Sequence, residues 1–215
     1  MESYRVIYSQ ENRIQIYTGE IVEKRSRFIA NIRAVESEEE AMAFVDQMRK
    51  RYYDARHNCY AFVVGPRGEL ARSSDDGEPS GTAGRPMLEV LQGAELKNAA
   101  VVVTRYFGGV LLGTGGLVRA YTQAVQEALK LCPTAIMKSG KRVEIETDYN
   151  GIGKILHLLG RRNLAQESGE YTDRVCLRVL IPEEEISDFT KEVTEATAGR
   201  GRIRELEEVF YPVPE

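Results

Sequence analysis

The chain has 215 residues, 42% hydrophobic and 29% charged, with a formal net charge of −4. That is ample material for a core and a little long for one average domain, so two small domains are expected. The acidic balance excludes a global positive field that would draw in nucleic acid or anionic membrane, and leaves such contact to a local patch.

Residues 21–34 mix β-branched and charged residues in partial alternation and read as one long strand with a wet face. Ser37 and Glu40 form a capping box, after which Ala41, Phe44, Val45, Met48 and Tyr52 recur at helical spacing. Strands are expected over 58–64 and 69–73, joined by the turn Gly65-Pro66-Arg67-Gly68. Pro86 stands in the first turn of a short helix over 85–91 that Gly93 ends, and the valine-rich run 99–107 reads as a buried strand. A long amphipathic helix starts at Thr114 and sets Leu117, Ala120, Tyr121, Ala124, Val125, Ala128 and Leu129 on one face.

Residues 135–140, following Pro133, read as a linker between a domain over 1–134 and another over 141–215. Beyond it come a strand over 142–147, a helix through Ile152, Ile155, Leu156 and Leu159, and strands over 164–171 and 174–181. A helix opening on Glu183, Glu184 and Glu185 and a strand over 202–211 follow. The order β-α-β-β-α-β is that of a ferredoxin-like split βαβ domain, so the fold class is α+β.

Two glycine-punctuated segments stand out. The first, residues 73–84, carries Asp75, Asp76 and Glu78 among Gly77, Gly81 and Gly84. The second, residues 104–121, carries Gly108, Gly109, Gly113, Gly115 and Gly116 between Arg105 and Arg119. Glycine permits positive φ and close ligand approach, so these loops are candidates for a built surface. The second lies between a buried strand and a helix N-terminus, where free N–H groups and the helix dipole favour an anion. It departs from both common nucleotide motifs. Thr114-Gly115 replaces the lysine and hydroxyl residue of a P-loop, and Val118 replaces the third dinucleotide-binding glycine.

Arg105 and Arg119 suit bidentate phosphate contacts, or equally ion pairs with Asp75, Asp76 or Glu78 that would knit the segments together. The three carboxylates could hold Mg²⁺ or act as acid and base, or Asp75 and Asp76 could instead cap the following turn. His57 and Cys59 share a strand face without the base being aimed at the thiol, so a buried cysteine beside a satisfied histidine is expected. No serine stands in a Gly-x-Ser-x-Gly elbow. Two histidines are too few for a histidine-rich cage, and no cofactor is expected. Cys59, Cys132 and Cys176, odd in number and scattered, fit reduced thiols. With no apolar run of membrane-spanning length and no signal-peptide pattern in Met1-Glu2-Ser3-Tyr4-Arg5-Val6, a cytoplasmic protein without membrane contact is expected.

The block Ala55-Arg56-His57-Asn58-Cys59-Tyr60-Ala61-Phe62, the acidic segment 74–84 and the glycine segment 103–121 together resemble the YigZ/IMPACT family, and the tail resembles the C-terminal domain of its bacterial two-domain members. The resemblance implies an N-terminal α/β domain with a ribosomal-protein-type fold like domain IV of elongation factor G. It also implies a ferredoxin-like C-terminal domain similar to that factor's domain V. Eukaryotic relatives are implied to restrain an amino-acid-starvation kinase by competing for its ribosome-associated activator.

The expected function is a non-enzymatic translation-associated regulator that binds RNA, the ribosome or a translation-related protein. The binding residues would be Arg56, His57, Asp75, Asp76, Glu78, Arg85, Arg105 and Arg119 with the glycines of the second segment. The alternative is an enzyme acting on a phosphate-bearing ligand, with the carboxylate loop as its metal or acid–base element.

Overall fold

The computed structural model describes residues 3–8 and 14–215; Met1 and Glu2 of the N-terminal stretch lie outside the described residues. The architecture is mixed α/β, with two antiparallel sheets and five α-helices among the described residues. One compact unit comprises Tyr4–Ile136 with Val213–Glu215, and Met137–Pro212 makes up most of the other.

The first unit contains β1 (Tyr4–Ile7), β2 (Tyr17–Glu23), β3 (Ser26–Ala34), α1 (Glu38–Arg51), β4 (His57–Val64), β5 (Leu70–Ser74), α2 (Gly84–Gly93), β6 (Ala99–Tyr106) and α3 (Thr114–Leu129). Its sheet runs β2-β3-β6-β4-β5 with every neighbour antiparallel. Central β6 is apolar on both faces because both are covered. Ala99, Val101 and Val103 join the core under α2 and α3, whereas Ala100 and Val102 join the core under α1. The Ser37 hydroxyl accepts the Glu40 N–H at 3.2 Å, as the capping pattern requires, and α1 buries Ala41, Phe44, Val45 and Met48. On the opposite face, α3 lies so close to β2 that a Cβ on Gly19 would stand 2.3 Å from the Ala128 nitrogen.

Two expectations need correction. Residues 21–34 are not one strand but the end of β2, a turn and β3. Lys24 and Arg25 form the turn with φ of 45° and 64°, and the strands pair around it from Glu23–Ser26 outward. Two consecutive positive φ values fit a tight two-residue hairpin turn, normally Asn-Gly or Asp-Gly, so a Lys-Arg pair concealed it. Residues 135–140 are likewise strand and not a linker, because β7 spans Thr134–Thr147. Gly140, which looked like a linker residue, serves close packing. A Cβ there would meet the Ile181 carbonyl oxygen at 2.8 Å and the Tyr211 ring at 3.0 Å.

After β7 come α4 (Ile152–Arg161), β8 (Gln166–Tyr171), β9 (Val175–Pro182), a 3-10 turn at Glu183–Glu185, α5 (Ile186–Ala196) and β10 (Arg202–Pro214). The strands lie in the order β10-β7-β9-β8, so each βαβ pair is split by a strand of the other. Val143, Ile145, Val175, Leu177 and Val179 pack with Ile155, Leu159, Phe189 and Val193 of the helices. Charged pairs link several of the strands, among them Arg142 with Glu167 and Lys141 with Glu205, both at 2.5 Å.

Candidate functional site

The acidic segment folds back on itself through its own carboxylates. Asp75 accepts backbone N–H groups from Gly81 (2.8 Å), Ala83 (3.0 Å) and Gly84 (2.8 Å), tying the loop to the start of α2. Burial alone would raise its pKa, but these three bonds outweigh it and hold the carboxyl below its ordinary value. Asp76 accepts the Asn58 N–H at 2.7 Å and Arg49 at 3.2 Å, fastening the loop to β4 and α1.

Glu78 turns into the core. Its Oε1 accepts Arg105 Nη1 at 2.7 Å and the Tyr121 hydroxyl at 2.8 Å, and the Arg105 and Glu78 side chains are only 7% and 3% exposed. Of the two roles open to Arg105, this geometry fulfils the ion pair that knits the segments together. Its Nη2 lies 3.4 Å from Ser26 Oγ, which also accepts the Gly108 N–H at 3.2 Å, while its Nε is buried without a partner. The guanidinium carbon sits 5.4 Å from the Phe28 ring centre and 5.5 Å from that of Phe107, within cation–π range of both. Cys59 is wholly buried, with Sγ 2.9 Å from the Asp75 carbonyl oxygen and 3.3 Å from Tyr121 Oη; burial pushes its thiol far above the ordinary value. A thiol so held is a packing group.

In the second segment Gly108 is required by crowding, since a Cβ there would fall 2.0 Å from the Arg25 carbonyl carbon. Gly113 caps α3 with φ of 73°, and the first turn has neither a side-chain cap nor an acidic residue. Gly109, Gly115 and Arg119 are exposed and Gly116 is half-buried.

Beside this segment lies a cleft of about 500 Å³ lined by Asp54, Arg56, His57, Arg105, Tyr106, Phe107 and Leu111. His57 Nδ1 stands 2.9 Å from the Asp76 carbonyl oxygen. A carbonyl only accepts, so Nδ1 carries the hydrogen. The Tyr106 hydroxyl donates to Asp54 at 2.7 Å, and burial followed by that bond pushes its pKa up to about 12. Phe107 is 55% exposed and Leu111 is 81% exposed.

Arg56, His57 and Arg105 therefore converge on one cleft, whereas Arg119 projects from the second turn of α3. Arg85 lines neither feature; it is exposed and pairs with Glu89 at 3.0 Å. Asp75, Asp76 and Glu78 are all engaged by donors of the chain. Among the described residues no group of three or more His, Cys, Asp or Glu stands together for a metal ion. Sequence reasoning missed Phe107, Ser26 and the cationic turn Lys24-Arg25. The aromatic beside Gly108-Gly109 was the available signal for Phe107, while the turn lacked any.

These features define a two-unit mixed α/β protein whose first unit carries paired glycine segments joined by a buried ion pair. The Impact N-terminal domain family matches residues 24–129, and the family described as Domain of unknown function (DUF1949) matches residues 145–200. IMPACT family member YvyE of Bacillus subtilis is 40% identical over 188 residues, covering 87% of each chain. IMPACT family member YigZ of Escherichia coli is 37% identical, covering 86% of this chain and 92% of its own. A solved structure titled as a crystal structure of an hypothetical protein superimposes with a TM-score of 0.61 at 35% identity, covering 96% of this chain and 98% of that one. The chain belongs to the IMPACT family. Protein IMPACT homolog of Dictyostelium discoideum shares 41% identity over 103 residues, only 29% of its own length. No helix among the described residues is long and apolar enough to cross a membrane.

Proposed function

We propose that the protein is a non-enzymatic, cytoplasmic regulator associated with translation, and that its first unit binds single-stranded RNA, such as exposed ribosomal RNA, at the cleft and second glycine segment. The observation that carries this reading is Phe107. Its ring is more than half exposed at a cleft lined by Arg56 and His57, with the Arg105 guanidinium 5.5 Å from its centre. An aromatic face beside cations is what single-stranded RNA uses for base stacking and phosphate contact. The uncapped, acid-free start of α3, with the exposed Arg119 of its second turn reaching back beside Gly115, adds a second place for a phosphate.

The resemblance of the first unit to domain IV of elongation factor G belongs to the same proposal. The interleaved order β10-β7-β9-β8 supports a ferredoxin-like reading of residues 141–215 as a separate domain following one over 1–134. Three unpaired thiols fit a reducing cytoplasm.

The test is fluorescence anisotropy with labelled RNA oligomers across a salt series. Affinity should fall with a slope near −0.7 per phosphate contacted. Phe107→Ala should weaken binding roughly fivefold to a hundredfold, the range for losing one stacked base. Failure of RNA oligomers and ribosomal fractions alike to associate would reject the proposal.

A further inference from the structure

We infer that the cleft reads the ribose 2′-hydroxyl, so that the RNA site proposed above, on which this inference rests, discriminates against DNA. One hydrogen bond fixes the tautomer of His57. Its Nδ1–H is committed to the Asp76 carbonyl oxygen at 2.9 Å, so the lone pair of the imidazole falls to Nε2. Rotating the ring by half a turn would break that bond. Gly77, with φ of 87°, lets the loop backbone turn beside the same edge. No donor among the described residues reaches Nε2, yet Nε2 is not among their buried unpartnered atoms, so this acceptor is open to solvent on a residue that lines the cleft.

Asp54 decides which part of a nucleotide enters. Its carboxylate lines the same cleft and accepts the Tyr106 hydroxyl through one oxygen. A phosphate seated there would be repelled by that charge, whereas an uncharged hydroxyl finds acceptors at Asp54 and His57. The phosphates then suit the exposed Arg56 of the cleft wall, and the exposed Lys24 and Arg25 of the turn against which Gly108, next to Phe107, packs. Inside a strand the sugar hydroxyl available to donate is the 2′-OH, which DNA lacks.

The experiment uses the full chain and three labelled oligomers of one sequence: ribose, deoxyribose and 2′-O-methyl. The ribose form should bind roughly five- to tenfold more tightly than either other form, the worth of one well-placed hydrogen bond. The methylated form retains the oxygen but has no hydrogen to give to His57. His57→Phe should abolish the preference, bringing ribose and deoxyribose binding to the same level. Equal binding of RNA and DNA by the unmodified chain overturns the inference while leaving a single-strand site in place, and needs no variant to fold. Tight binding of the 2′-O-methyl form also overturns it. Absence of binding to all three removes the RNA reading itself.

Discussion

Arg105 and Glu78, 27 positions apart in the two glycine segments, form a 2.7 Å ion pair with almost no exposure to solvent. Desolvating two charges is costly, and removing one leaves the other buried and unpaired. Glu78→Gln or Arg105→Met should each lower stability by about 3–5 kcal/mol. The double variant Glu78→Leu with Arg105→Met should recover much of that loss, because apolar groups of similar size replace the pair. Urea unfolding of the four chains measures the difference.

Gly108 and Gly93 should respond with opposite signs to alanine. The first substitution drives a Cβ into the backbone of Arg25, whereas nothing lies within 4 Å of a Cβ on Gly93. Gly108→Ala should therefore destabilise by about 1–3 kcal/mol, the usual cost of overpacking. Gly93→Ala, at the end of α2, should be neutral or stabilise by up to about 1 kcal/mol through reduced unfolded-state freedom. Thermal unfolding separates the two.

Asp75 gives the acidic segment a pH dependence. Despite burial, its three backbone N–H bonds depress the folded-state pKa below the ordinary 3.8. A depressed carboxyl contributes stability that is present above the unfolded pKa and lost as pH falls through the folded one. Asp75→Asn should lower the urea midpoint at neutral pH and flatten its decline in acid below pH about 4.

The thiols should separate by access. Cys59 is wholly buried and its thiol raised by burial, whereas Cys176 is partly exposed, although burial and nearby Glu144, Glu146 and Glu170 raise its thiol too. Mild alkylation followed by peptide mapping should label Cys176 in the folded chain and Cys59 only after denaturation.

Elements marked by local chemistry were legible in the sequence: the capping box before α1, the valine run of β6 and the apolar face of α3. The β2–β3 turn was not, because Lys24 and Arg25 take left-handed φ values that their side chains do not advertise and the surrounding structure imposes. Gly140 misled in the opposite direction, as a glycine required by packing looks like one required by flexibility. The site was legible in part. The charges of Arg105 and Glu78 were visible, but their union depends on β6 and the acidic loop meeting in space. Phe107 reveals its exposed face only once Gly108 has been fixed against the hairpin turn.

The central claim, that the first unit binds RNA at the cleft and second glycine segment, is tested most directly by mapping backbone amide shifts of the full chain during titration with a short single-stranded RNA. The account predicts saturable changes concentrated at residues 54–57 and 105–119 and at the turn Lys24-Arg25, with Phe107→Ala raising the RNA concentration at half-saturation roughly fivefold to a hundredfold. Changes confined to residues 141–212, or none at RNA concentrations that saturate a binding assay, would contradict it.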